Sequence, residues 1–329
     1  MTLLLLIVSI MCIVLMIALY TYFTCFHSPS DRTQDPYSVM EGEQYQALAD
    51  RIQACTRRMD EASFEWVHTG SFDGLTLEGR YYHHADGAPV LILMHGYRSM
   101  TLRDSAGGYF LGKKMGFNVL AADQRAHAGS EGRVISFGIH ERRDCLSWIE
   151  YTNARFGKDI PIVISGLSMG ASTVLMAAEL ELPENVAAVM ADSPYSSPAD
   201  IIRKVARDRH IPDNLAMPFI LLGAKLYGGF DLKETTAENA VANSRTPILL
   251  LHGEDDRFVP CEMSHAIYKN CPEGSKLVTF PDAGHGLCYI MHPKDYERAA
   301  VEFLYQQPLL REHMMHNSFC KDILDQSSV

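Results

Sequence analysis

Six largely apolar runs of five residues, at 90–94, 118–122, 161–165, 187–191, 247–251 and 276–280, narrow the possible folds more than any other feature of the chain. Helix-like stretches lie between most of them, near 103–115, 139–156, 171–180 and 262–270. Short runs that are mostly apolar belong to strands buried on both faces, and strands alternating with helices predict a mostly parallel sheet covered on both sides. Residues 64–84 read instead as two strands joined at Phe72-Asp73-Gly74, a hairpin signal flanked by alternating apolar residues. Together these predict an eight-stranded α/β sheet. Between 191 and 247 the rhythm breaks, and residues 199–245 are largely helical in pattern. A structureless loop of that length is disfavoured, so the segment is read as a small helical cap that builds the acyl or leaving-group pocket. A composition of 47% hydrophobic and 21% charged residues supplies enough apolar material for one large domain, placed at 59–310.

Ahead of that domain, positions 3–20 are apolar except for Ser9, and no Asp, Glu, Lys or Arg precedes Asp31. Such a stretch is long enough to span a bilayer. It lacks the basic start and small-residue cleavage site of a signal peptide, so an uncleaved single-pass anchor over 1–27 in the cell membrane is expected. Arg32 alone flanks the span and weakly favours a cytoplasmic catalytic domain. Residues 28–58 read as a polar stalk with one helix near 44–57, and residues 311–329 as a C-terminal tail. The net charge of −11, without a basic run, argues against a nucleic-acid partner. The eight cysteines show no metal-ligand spacing and are expected to be reduced thiols, a Cys261–Cys271 bridge being the minor alternative.

The chemistry is concentrated in Gly166-Leu167-Ser168-Met169-Gly170, directly after one strand and before a helix. A serine on that sharp turn is held in strained geometry with its oxygen exposed, and the following helix aims its N-terminus at a developing oxyanion. Ser168 is therefore the expected nucleophile, and the Met169 amide one oxyanion donor. The expected general base is His285 in Asp282-Ala283-Gly284-His285-Gly286, a glycine-flanked histidine on a strand-end loop. His252 and His95 sit at strand ends where structural hydrogen bonds are typical. The supporting acid lies in His252-Gly253-Glu254-Asp255-Asp256-Arg257-Phe258-Val259-Pro260, where three carboxylates compete, with Asp192 as a more distant alternative. No metal or other cofactor is required by this chemistry.

At these motifs the chain resembles the α/β-hydrolase superfamily, in particular its membrane-anchored bacterial members and its serine aminopeptidase-like and monoacylglycerol-lipase-like branches. The resemblance covers roughly residues 64–306 and implies the α/β-hydrolase fold. It assigns the acid to Asp256, and through His95-Gly96-Tyr97 it assigns the second oxyanion donor to the Tyr97 amide. The loop Asp123-Gln124-Arg125-Ala126-His127-Ala128-Gly129-Ser130 also follows the family pattern, except that Ala126 and Ala128 stand where glycines are usual. The implied function is a serine hydrolase acting on a small-molecule ester or acyl substrate, possessing no cofactor. Two rivals remain: a serine aminopeptidase, with an acidic cap residue such as Glu234 binding the substrate amine, and a non-catalytic membrane-anchored binding module.

Overall fold

The structure is a computed structural model that describes residues 1–28 and 35–327. Arg32, on which the expected orientation rests, lies outside the described residues. The strands are β1 Glu65–Gly70, β2 Thr76–Tyr82, β3 Val90–Met94, β4 Asn118–Ala122, β5 Ile162–Leu167, β6 Val186–Asp192, β7 Ile248–Gly253 and β8 Lys276–Phe280. They form one sheet in the order β1-β2-β4-β3-β5-β6-β7-β8. The hairpin β1–β2 is antiparallel and joins β4 antiparallel, while every pairing from β4 to β8 is parallel. This is the α/β-hydrolase fold.

The helices are α1 Thr2–Cys25, α2 Glu43–Ala47, α3 Ala49–Asp60, α4 Thr101–Asp104, α5 Ala106–Lys114, α6 Glu141–Phe156, α7 Met169–Ala177, α8 Pro198–Asp208, α9 Asp213–Gly223, α10 Ala237–Ala242, α11 Glu262–Tyr268, α12 Cys288–Met291, α13 Pro293–Tyr305, α14 Pro308–His316 and α15 Ser318–Ser327. Alternation along each central strand sends side chains to two cores. Ile92, Ile164 and Leu250 pack with Trp148 of α6 and Val174 of α7, whereas Leu91, Val163 and Leu249 pack with Met59 of α3, Leu111 of α5 and Val301 of α13. The order of strands reverses at β3, which lies between β4 and β5. Loops leaving the carboxyl ends of strands flanking such a reversal diverge and leave a crevice.

Two segments differ from their sequence-based reading. Residues 35–58 do not stand off the domain as a stalk: α3 buries Thr56 and Met59, and α1 meets the domain directly. Phe26 is fully buried, its carbonyl accepts from the Ile135 amide, and the Ser28 amide donates to the Arg133 carbonyl. Residues 311–327 are not a loose tail, because α14 and α15 bury Met314 and Cys320 against the second core. The physical reason is the same in both places: each helix carries apolar residues on one face only, and that face finds unfilled space beside the sheet. The helical insertion itself is present as α8, α9, a π-helical turn Ala224–Gly228 and α10.

Helix α1 is 24 residues long and apolar enough to cross a membrane. Its last turns pack on α9, where Gly223 lets the backbones approach closely: a Cβ there would lie 2.5 Å from the Ala18 carbonyl oxygen. The Thr21 hydroxyl also donates to the Phe219 carbonyl at 3.0 Å.

Candidate active site

Strand β5 delivers the chain into α7 through a single residue, Ser168, whose φ of 57° and ψ of −115° lie outside the regions that L-residues ordinarily occupy. The turn is held at both ends, since the Ser168 amide donates to the Asp192 carbonyl and its own carbonyl accepts from the Ser172 amide. Both flanking glycines are required by close approach. A Cβ on Gly166 would lie 2.2 Å from the Gly170 carbonyl carbon, and one on Gly170 would lie 2.1 Å from the Met94 carbonyl oxygen of β3. Gly170→Ala is therefore expected to destabilise by about 3 kcal/mol or more, because backbone in the central strand has nowhere to move; urea denaturation measures it, and an unchanged midpoint contradicts this account of the turn.

The Ser168 hydroxyl lies 2.8 Å from Nε2 of His285, and Nδ1 of His285 lies 2.7 Å from Oδ2 of Asp256. All three residues are buried. His285 arrives on the loop after β8 and Asp256 on the loop after β7. Oδ1 of Asp256 accepts the Phe258 and Val259 amides at 2.9 and 2.7 Å. Burial opposes charge on this carboxyl, but hydrogen bonds from His252 and His285, the charge on His285 and the Val259 amide outweigh it and hold the group well below the usual carboxylate range. An ionised Asp256 accepts the Nδ1 proton, which leaves Nε2 free to accept the serine proton.

The competing carboxylates are occupied elsewhere. Asp255 accepts from Arg257 and Gln44 at the surface. Asp192 is buried, which pushes its carboxyl above the usual range, and it accepts from the Ser193 hydroxyl at 3.0 Å. Glu234 pairs with Arg142 and Arg143 away from the serine, so it is not placed to bind a substrate amine. His252 is structural: its Nε2 faces the Val259 carbonyl at 2.8 Å and its Nδ1 the Ser264 hydroxyl at 2.6 Å. Cys261 and Cys271 are free thiols.

Two histidines fix the loop that carries Tyr97. Nε2 of His95 accepts the Gln124 amide at 3.0 Å, so its Nδ1 carries the proton and donates to the Gly96 carbonyl at 2.8 Å. By the same logic Nε2 of His127 accepts the Arg98 amide and its Nδ1 donates to the Arg125 carbonyl. Asp104 accepts the Gly96 amide at 2.8 Å. The Met169 amide opens α7 and so has no acceptor within its helix. The Tyr97 phenol does not face the serine: burial raises its pKa to about 12, and it donates to the Cys25 carbonyl at the end of α1, at 2.7 Å. His127 and Asp104 are positioning residues that sequence reasoning passed over. His127 lay inside a motif read as structural, and Asp104 lay inside a helix.

That motif loop also explains its two alanines. Ala126 and Ala128 adopt φ of 62° and 41°, the conformation that glycine takes without strain. Arg125 clamps the loop through paired bonds to Asp144 and to Asp73. Left-handed backbone costs a non-glycine residue about 1–2 kcal/mol, against about 0.5–1 kcal/mol for the extra unfolded-state freedom of glycine. Ala128→Gly is thus expected to raise Tm by roughly 1–3 °C, read by calorimetry. A fall in Tm would contradict the strain account. The methyl of Ala126 is fully buried, so its replacement gains less.

A cavity of about 250 Å³ adjoins Ser168. Among the described residues its lining comes from 38–56, from the end of β3 and the Gly96–Gly108 region, from the end of β5, from Asp192 and Phe258 and from 285–296; none comes from 199–245. The expectation that the helical insertion builds this pocket is corrected. The insertion packs instead over α7 and against α1.

The alpha/beta hydrolase family model matches residues 91–299. The chain belongs to that family. An uncharacterised protein of Bacillus subtilis, YqkD, is 25% identical over 70% of this chain and 76% of its own length. The human protein ABHD12B is 31% identical over 60% of this chain, and the lysophosphatidylserine lipase ABHD12 of Rattus norvegicus is 25% identical over 70% of it. The matches span only 55% and 59% of those two mammalian relatives. Among solved structures, the esterase Pf2001 of Pyrococcus furiosus superposes with a TM-score of 0.60 at 22% identity, covering 76% of this chain and 95% of that one. Est1E of Butyrivibrio proteoclasticus, solved with ferulic acid, gives a TM-score of 0.55 at 22% identity, covering 73% and 98%. At those identities the likeness is one of fold.

Proposed function

We propose that the protein is a serine hydrolase that cleaves carboxylic esters bearing an acyl chain, through an acyl-enzyme on Ser168, while α1 holds it at a membrane. The observation that carries the reading is the chain of short hydrogen bonds from Ser168 through His285 to Asp256 at the edge of a cavity. His285 Nε2 takes the hydroxyl proton as the Ser168 oxygen attacks the ester carbonyl. Negative charge passes to the carbonyl oxygen, where the amides of Met169 and Tyr97 receive it. Collapse of the tetrahedral intermediate breaks the bond to the alkoxy group, which leaves with the proton from His285. Water then repeats the sequence on the acyl-enzyme, releasing a carboxylic acid and restoring Ser168.

An ester is favoured over a peptide by the apolar cavity wall, which includes Val39, Met40, Ile52 and Ile290, and by the displacement of Glu234 from the site. That relatives of the chain include a lysophosphatidylserine lipase, and its structural neighbours esterases, supports the same choice. Retention of α1 as an uncleaved anchor is favoured by the burial of Phe26 and the bond from Tyr97 to Cys25, both of which cleavage at the end of the helix would remove. The full-length protein is expected to react with a fluorophosphonate probe and to hydrolyse nitrophenyl esters faster than aminoacyl amides. An unlabelled wild-type protein removes the hydrolase reading, and faster amide hydrolysis moves it to a peptidase. Extraction at alkaline pH tests the anchor, with the protein expected in the membrane pellet.

A further inference from the structure

The segment between α1 and β1 contributes more of the cavity wall than a connecting element requires. Val39, Met40, Tyr45, Ile52, Cys55 and Thr56 all line the space beside Ser168. The segment is also fastened to the loops that carry the candidate acid and base. The Tyr45 hydroxyl donates to the His285 carbonyl at 2.7 Å, and Gln44 Nε2 donates to the Asp282 carbonyl at 3.0 Å and to the Asp255 carboxylate at 3.1 Å. Its two ends are tied as well: Tyr37 donates to Asp60 at 2.7 Å, and Gln53 donates to the Tyr37 carbonyl at 3.1 Å. No bond of this kind is needed to lead a chain from a helix to a strand.

We propose that residues 36–56 are the acyl-selecting wall of the site, with Ile52 facing the acyl chain and the latches from Gln44 and Tyr45 setting the wall's distance from Ser168. The inference rests on the hydrolase reading and adds to it the element that reads the substrate. The insertion at 199–245 then has no part in acyl selection. Its helices contribute nothing to the cavity, and Leu222 of α9, the helix that packs on α1, is not among the residues that line it.

Selectivity follows from volume. In an apolar pocket one methylene more or less changes kcat/KM by about 10-fold to 200-fold, so filling or emptying the space at Ile52 must move the preferred chain length. The full-length protein in detergent micelles is assayed on nitrophenyl acetate, butyrate, octanoate and laurate. Ile52→Trp is expected to lower the octanoate-to-acetate ratio of kcat/KM by about tenfold or more. Ile52→Ala is expected to move the optimum to a longer chain, and Leu222→Trp to keep the wild-type ratio. Fluorophosphonate labelling of Ser168 in each variant reports that the site is assembled. If wild type is not labelled, the hydrolase reading falls and the inference with it. If wild type and both Ile52 variants are labelled and share one chain-length profile, or if only Leu222→Trp shifts it, the inference alone is overturned.

Discussion

Replacing Ser168 with alanine is expected to lower kcat for ester hydrolysis by about 10⁶-fold, the size of loss seen when a nucleophile of this type is removed and only binding and oxyanion stabilisation remain. The change is chemically narrow. Alanine occupies the same strained turn, and the contacts that hold the turn are backbone bonds to Asp192 and Ser172 that do not involve the hydroxyl. The folded protein is therefore expected to survive with its Tm within a few degrees of wild type, so lost turnover is readable as lost chemistry. The measurement is paired with a fluorophosphonate probe: wild type is labelled and Ser168→Ala is not. Equal labelling of the two would mean that the reactive group lies elsewhere.

The second large effect is expected at Asp256. An asparagine there keeps the volume but presents either a neutral oxygen or an amide to Nδ1 of His285, so the imidazole loses the partner that fixes its tautomer and supports its cation. A fall in kcat of about 10⁴-fold is expected, with a smaller change in KM. Asp256→Asn also has a pH signature. The carboxyl is depressed in the folded protein, so its contribution to stability is complete above the unfolded value near pH 4 and is lost as pH falls below that toward the folded value. Wild type is accordingly expected to exceed Asp256→Asn in Tm by a margin that narrows as the pH is lowered from about 5 to about 3. A margin that widens on acidification would show the sign to be wrong.

The residues of the candidate site were legible because each sits at a strand end marked by glycine. Gly166 and Gly170 bracket Ser168, Gly284 and Gly286 bracket His285, and Gly253 precedes Asp256 by three positions. Close backbone packing admits only glycine at some of these places, so the constraint is written in composition as well as in geometry. Choosing among Asp255, Asp256 and Asp192 was a different matter. The motif's resemblance pointed to Asp256, but which oxygen faces His285 depends on how the loops after β7 and β8 meet, and the two residues are 29 positions apart in the chain.

The pocket was misread for a related reason. Residues 199–245 and residues 36–60 are both short helices with apolar faces, and periodicity says that a face is covered without saying by what. In the folded chain the first packs on α7 and α1 and the second closes over Ser168. Neither placement is encoded locally.

What the sequence determined by itself was the order of the strands and of most helices between them, the turn at Ser168 and the presence of a long apolar helix at the start of the chain, because periodicity and glycine placement act over a few residues. The tertiary structure alone decided how Asp256 meets His285, where the Tyr97 phenol goes and which segment walls the cavity. Those outcomes depend on contacts between residues tens to hundreds of positions apart, where the sheet's strand order, and not the local chain, sets the distance.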